Sequence, residues 1–138
     1  MQHDVVPEVT KTEEEWRKEL GPERYRILRE AGTERPFTGS LLEERGEGTF
    51  VCGACGAELF ESSSKFESHC GWPSFTHPDE RQNVRLLPDY SHGMNRIEVR
   101  CKRCDSHLGH VFEDGPPPLG TRYCINSLSL TFVPSPKK

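Results

Sequence analysis

Thr49-Phe50-Val51-Cys52-Gly53-Ala54-Cys55 and, further along, Ile97-Glu98-Val99-Arg100-Cys101-Lys102-Arg103-Cys104 decide the architecture. Each stretch runs through β-forming residues into a C-x2-C knuckle. In the first, Glu58-Leu59-Phe60 follows the knuckle, so Cys52 to Cys55 reads as the tight turn between two hairpin strands. In the second, Ile97, Val99 and Cys101 alternate with Arg96, Glu98 and Arg100, the period of a strand with one apolar face. A two-residue gap lets both sulfurs of a knuckle point at one ion, and two knuckles together supply four thiolates tetrahedrally. Cys52, Cys55, Cys101 and Cys104 therefore predict one zinc ion, structural because four thiolates leave no open coordination position. Two redox-active dithiols, two disulfides, or iron in place of zinc are the alternative readings of the same spacing.

A metal tying distant loops together answers a problem of composition. The chain has 138 residues, the size of one domain, yet only 33% are hydrophobic, and 12 glycines and 11 prolines break it up. Its mean hydropathy is −0.73. Such a chain builds a small core under many loops. The net charge of −4 gives no electrostatic reason to seek nucleic acid or an anionic membrane. No apolar run approaches the ~20 residues of a membrane helix. Met1-Gln2-His3-Asp4 lacks the basic start of an export signal, so the expectation is a cytoplasmic protein whose six cysteines are thiols, ligands or redox groups.

Residues 1–11 are polar and aperiodic and read as a flexible lead-in, residues 12–133 as a single domain, and residues 134–138 as a proline-rich tail. Thr12 with Glu15 has the form of a capping box, and Trp16 with Leu20 begins an amphipathic helix. Gly21-Pro22 interrupts it, and a second helix carrying Tyr25 and Leu28 runs toward a stop at Gly32. From Thr33 on, short runs punctuated by Gly, Pro, Asn and Asp predict β structure, closed by a strand in which Leu128, Leu130 and Phe132 alternate with Ser129 and Thr131. The fold class is mainly β (α+β), with short N-terminal helices.

Two cysteines stand outside the knuckles. Cys124 lies in Arg122-Tyr123-Cys124-Ile125-Asn126, where a guanidinium favours the nucleophilic thiolate, and Cys70 in His69-Cys70-Gly71-Trp72-Pro73-Ser74-Phe75. Inert burial is the plainer reading for either, and spacing does not show whether they meet. His107-Leu108-Gly109-His110 places two imidazoles on the segment anchored by the second knuckle, suited to proton exchange. Spare metal ligands or solvent-facing residues are the alternatives. Trp72 is either core or the wall of an apolar pocket. Asp114-Gly115-Pro116-Pro117-Pro118 is a stiff turn fixing the approach to Cys124, and His3, His77 and His92 read as surface residues.

Taken in order, Gly32-Thr33-Glu34-Arg35-Pro36-Phe37-Thr38-Gly39, both knuckles, Cys70 to Phe75, Ser91-His92-Gly93-Met94, His107 to Phe112 and Arg122 to Ser127 resemble the methionine-R-sulfoxide reductases of the B type, over residues 22–132. The resemblance implies two antiparallel sheets in a tent-like arrangement and a structural zinc opposite the active site. It implies that Cys124 attacks the sulfoxide sulfur and is left as a sulfenic acid. Cys70 then resolves it to a disulfide that thioredoxin reduces. His107 and His110 support protonation of the leaving oxygen, Asn126 organises a hydrogen bond near the site, Trp72 and Phe112 wall the substrate methyl, and Arg122 stabilises the thiolate. The implied substrate is oxidised protein or peptide carrying methionine-R-sulfoxide, turned over by a monomer without organic cofactor. A zinc-bearing interaction module and a peroxide sensor that oxidises Cys124 without turnover are the rival readings. One departure stands out: His69 occupies the place of a glycine in the family pattern, immediately before Cys70.

Overall fold

A computed structural model of the chain describes residues 10–79 and 82–135, apart from the side chain of His92. The expectations for His3, for most of the lead-in and for residues 136–138 of the tail lie outside the described residues. Helix α1 spans Glu13–Arg29. The Thr12 hydroxyl accepts from the Glu15 N–H at 3.1 Å, and the Glu15 carboxylate accepts from the Thr12 N–H at 2.9 Å, the reciprocal cap that the sequence predicts. The two expected helices form one element broken at Gly21, whose φ of 81° lies in the region that favours glycine, with Pro22 restarting the helix. Its inner face buries Trp16, Tyr25, Ile27 and Leu28.

Among the described residues nine strands follow: β1 (Gly48–Cys52), β2 (Glu58–Glu61), β3 (Lys65–Phe66), β4 (Ser74–Phe75), β5 (Val84–Asp89), β6 (Arg96–Cys101), β7 (His107–Phe112), β8 (Arg122–Ile125) and β9 (Leu130–Pro134). They make two antiparallel sheets, one ordered β2-β1-β9 and the other β3-β4-β8-β7-β6-β5. Phe50 and Phe60 of the small sheet meet Phe75 of the large one, with ring centroids 5.0 and 4.4 Å apart. Burying each such side chain contributes about 2–3 kcal/mol, and the ring pairs about 1 kcal/mol more. Among the described residues no helix is long and apolar enough to cross a membrane.

Two expectations need correction at the last strand. Leu128 lies in a 3₁₀ turn over Ser127–Ser129, and β9 starts only at Leu130. Pro134, assigned to the tail, instead pairs with Gly48 as the last residue of β9. An edge strand tolerates proline because its missing N–H faces away from the neighbouring strand, and β9 is such an edge.

Register in the large sheet sets up the chemistry. Leu87, Glu98, His110, Cys124 and Ser74 stand opposite one another in turn across β5, β6, β7, β8 and β4. Glu98, which alternation alone would send to solvent, is buried in this row.

Candidate active site

The two knuckles close in the same way, as a repeat in sequence suggests. The Gly56 N–H donates to the Cys52 carbonyl at 2.9 Å and the Asp105 N–H to the Cys101 carbonyl at 2.8 Å. Each chain then turns through a left-handed residue, Gly56 at φ 80° and Asp105 at φ 63°. Asparagine and aspartate tolerate this region better than most residues, and the Asp105 carboxylate is held there by Arg85 at 3.0 Å and Arg100 at 3.2 Å. The first knuckle follows β1 of the small sheet and the second follows β6 of the large one, so the meeting of their sulfurs links one sheet to the other.

All four knuckle sulfurs lie within 4.8 Å of one another. Cys52 and Cys104 are 3.7 Å apart, and Cys55 and Cys101 3.5 Å. A tetrahedron with zinc–sulfur bonds of about 2.3 Å has edges of about 3.8 Å, so this donor set fits such an ion. Without a cation the four thiols oppose one another: hydrogen bonding to Cys104 pushes Cys101 up, and the same contact draws Cys104 down. A divalent cation removes that conflict by favouring the thiolate at every position. Arg29, whose guanidinium lies 4.7 Å over the Trp16 ring, donates to the Cys104 carbonyl at 2.8 Å and ties α1 to the second knuckle.

Across the large sheet from β6 lies a second cysteine pair of different character. Cys124 Sγ and Cys70 Sγ are 3.1 Å apart, one from β8 and the other from the loop before β4. Cys124, Trp72, His110, Phe112 and Asn126 line one cleft of about 90 Å³. Gly109 forms part of its floor, and a Cβ there would come 2.0 Å from the Cys124 carbonyl, so only glycine lets β8 approach β7 this closely. Cys70 and Arg122 flank the cleft rather than line it, and His107 is buried, its ring centroid 5.5 Å from that of His110.

The cysteine pair titrates as a unit. Cys70 is held down to about 4, first by the hydrogen bond from Cys124 and against the opposing effect of its own burial. Cys124 is pushed up, first by its bond to Cys70 and then by burial, with the Arg122 guanidinium pulling the other way. The sequence assigned Arg122 to thiolate stabilisation; in the structure its fork is engaged by Asp114 at 2.8 and 3.1 Å, over the Phe112 ring at 4.5 Å. The opposed directions favour Cys70 over Cys124 as the sulfur that ionises first.

His110 Nε2 donates to Asp89 Oδ2 at 2.7 Å, which leaves Nδ1 as the acceptor of a neutral ring. Burial draws His110 below its ordinary value, and Asp89 opposes that. Asp89 itself is held down by the Ser91 hydroxyl and by His110. His107 Nδ1 bonds Glu98 Oε2 at 2.7 Å, and its Nε2 is buried with no partner among the described residues. Asn126 spends its amide within the protein, accepting from the Glu34 N–H at 3.0 Å and donating to the Leu108 carbonyl at 3.1 Å. The Glu34 carbonyl in turn accepts from the Trp72 indole at 3.0 Å. His77 is exposed, as expected.

Sequence reasoning passed over Asp89, Glu98, Glu34, Ser68 and Ser74. A signal existed for Asp89, because Asp-Tyr-Ser has the form of an Asx turn, and Asp89 Oδ1 accepts from the Ser91 N–H at 2.9 Å. Glu34 owes its place to partners far off in sequence, Asn126 and Leu128, whereas Ser68 and Ser74 meet Cys70 within its own loop.

A two-sheet β fold with a four-cysteine cluster and a second cysteine pair at a cleft defines a thiol-based oxidoreductase. Residues 20–134 match the SelR domain model. The chain is 60% identical over 124 residues to "Peptide methionine sulfoxide reductase MsrB" of Methanosarcina barkeri, covering 90% of this chain and 87% of that protein. The protein of the same name from Thiobacillus denitrificans is 60% identical over 124 residues, covering 90% and 94%, and that from Leptospira interrogans 58% over 125 residues, covering 91% and 95%. The chain belongs to the MsrB (SelR domain) family.

Proposed function

We propose that the chain reduces methionine-(R)-sulfoxide in oxidised proteins and peptides to methionine, with Cys124 as nucleophile, Cys70 as resolving thiol and thioredoxin as the reductant. The observation that carries this reading is the pair of sulfurs 3.1 Å apart at the wall of a small cleft. Substrate enters with its S-methyl against Trp72 and Phe112. The neutral His110 takes the Cys124 proton at Nδ1, Asp89 stabilises the imidazolium so formed, and the Cys124 thiolate attacks the sulfoxide sulfur. The proton then returns to the oxygen. The sulfur–oxygen bond of the substrate breaks, a sulfur–oxygen bond forms on Cys124, the transient bond between the two sulfurs breaks, and methionine leaves. His107 acts as a positioning residue behind His110, and Asn126 braces the Trp72 loop through Glu34.

Cys70 then attacks the sulfenic acid. A sulfur–sulfur bond forms, the sulfur–oxygen bond breaks, and the hydroxyl departs as hydroxide, which takes up a proton from solvent to become water. Exchange with the dithiol of thioredoxin returns both thiols and carries the disulfide away. Cys52, Cys55, Cys101 and Cys104 hold one structural zinc, which fixes the knuckles and takes no part in the redox steps. The protein acts as a cytoplasmic monomer.

The test offers separate R and S epimers of a methionine sulfoxide peptide to the reduced, zinc-loaded protein with thioredoxin recycling, and quantifies methionine. Turnover confined to the R epimer is the expected result. No turnover of either epimer by folded protein with a reactive Cys124 would overturn the reading in favour of a sensor or an interaction module.

A further inference from the structure

The loop that carries Cys70 surrounds its sulfur with hydroxyl groups that the reaction described above does not use. Ser68 Oγ lies 3.0 Å from Cys70 Sγ, Ser74 Oγ lies 3.3 Å from it, and the two hydroxyls are 2.6 Å from each other. Ser74 is buried on β4 directly opposite Cys124, whereas Ser68 is half-buried. The Cys70 N–H also points to Ser68 Oγ, at 3.4 Å.

Counting protons gives this geometry a direction. Each serine has one hydroxyl proton and two lone pairs. The Ser68 hydroxyl donates to the sulfur, so in the 2.6 Å contact it is the acceptor and Ser74 the donor. The alternative for Ser74 is to donate to the Trp72 carbonyl at 3.1 Å or to the sulfur itself. In the first arrangement the two hydroxyls form a short chain polarised toward Cys70, and hydrogen bonds aligned in this way strengthen one another. A neutral Cys70 thiol gains little from such donors, because sulfur is a weak acceptor until it carries charge.

We propose that Ser68 and Ser74 form a hydroxyl cradle that holds Cys70 as the thiolate and aims it at Cys124 for the step that closes the disulfide. The proposal rests on the reading of Cys70 as the resolving thiol. Both serines act as positioning residues that set how much of Cys70 is ionised when the sulfenic acid is present; Ser68 meets Cys70 alone of the two sulfurs, whereas Ser74 also draws Cys124 down. The downward shift of Cys70 agrees, since Ser68 and Ser74 follow Cys124 among the hydrogen bonds that produce it. The other titratable or charged groups bearing on Cys70 are Cys124 and Arg122, both on β8, together with its exposed neighbour His69.

The cradle is tested where Cys124 no longer contributes. In a Cys124→Ala background, the pH profile of iodoacetamide alkylation of Cys70 is measured with both serines present, in Ser68→Ala, in Ser74→Ala and in the double variant. The expected midpoint lies below that of an ordinary cysteine, about 8.5, and rises by about one pH unit or more in the double variant, a tenfold loss of thiolate at any pH below it. With Cys124 in place, a single turnover on the R-sulfoxide peptide should give the same methionine burst in Ser68→Ala as in the unaltered protein, and disulfide closure slowed several-fold. Unchanged midpoints, or closure at the unaltered rate, would overturn the cradle. Absence of methionine from the unaltered protein would sink the functional reading instead, and the alkylation midpoints would still decide the cradle.

Discussion

The six cysteines divide into two settings that share a residue type and almost nothing else. Four converge from two knuckles, each sulfur with three others around it and no space at the centre for anything larger than an ion. Two meet at 3.1 Å beside a cleft, one from a strand and one from a loop, with an imidazole, an indole and two serine hydroxyls nearby. The difference lies in what remains unfilled. The cluster's donors satisfy one another's geometric needs only around a cation, so its chemistry ends once the cation is bound. The pair has an open side and unequal proton affinities, so its chemistry begins there.

The comparison breaks first if the cluster is dispensable. Cys101→Ser removes one of four thiolates at the end of β6, where the second knuckle turns into β7. Structural zinc ligation is worth on the order of 10 kcal/mol, comparable to the whole stability of a domain this size. The expected outcome is loss of bound metal together with a fall of tens of degrees in the melting transition, read by calorimetry and metal analysis. Unchanged melting with full metal content would refute a structural role. Cys124→Ser is the opposite case. Activity should fall by on the order of 10⁴-fold, while metal content stays at one ion per chain and melting moves by only a few degrees. A variant that loses metal along with activity would erase the division between the two settings.

The cluster was legible and the cleft was legible only in part, for a reason that the same comparison exposes. A knuckle is a local object: the gap between Cys52 and Cys55 and the turn at Gly56 are written in consecutive residues, as are the capping box of Thr12 and Glu15 and the break at Gly21. Strand alternation located β1, β2 and β6 but misled at Glu98, where the face opposite the apolar one is the active-site row rather than solvent. The approach of Cys70 to Cys124 is a fact of sheet order, because β4 pairs with β8, and no spacing encodes it; only the family resemblance anticipated it. Glu34, which fixes Asn126 and caps the Leu128 N–H at 3.0 Å, joins segments from opposite ends of the domain.

A smaller effect sharpens the picture on the cleft side. Asp89→Asn keeps the shape of the side chain and removes the charge that faces His110 at 2.7 Å. Loss of the charge that stabilises the imidazolium should slow methionine formation by about tenfold to a hundredfold. The sign of the pH effect follows from the same contact. Asp89 works against the downward pull of burial on His110, so its removal lets the histidine fall further, and the acid limb of the rate profile moves to lower pH. A slower enzyme with an unmoved acid limb would show that Asp89 only holds the β5 end in shape.

The smallest effect concerns the residue that departs from the family pattern. His69 sits at φ 62°, in the left-handed region, directly before Cys70. A side chain there costs roughly 1–2 kcal/mol that glycine avoids, and glycine gives back about 0.5–1 kcal/mol by loosening the unfolded chain. His69→Gly should therefore stabilise the protein by about 1 kcal/mol at most, a rise of roughly 2–4 °C in melting temperature. The imidazole at this position is exposed, so the methionine burst should not change. Disulfide closure is the informative readout, because backbone freedom beside Cys70 acts on its aim rather than on its charge. Slower closure at unaltered Cys70 ionisation would show that the strained histidine holds the loop in place, separating the contribution of backbone geometry from that of the Ser68 and Ser74 hydroxyls.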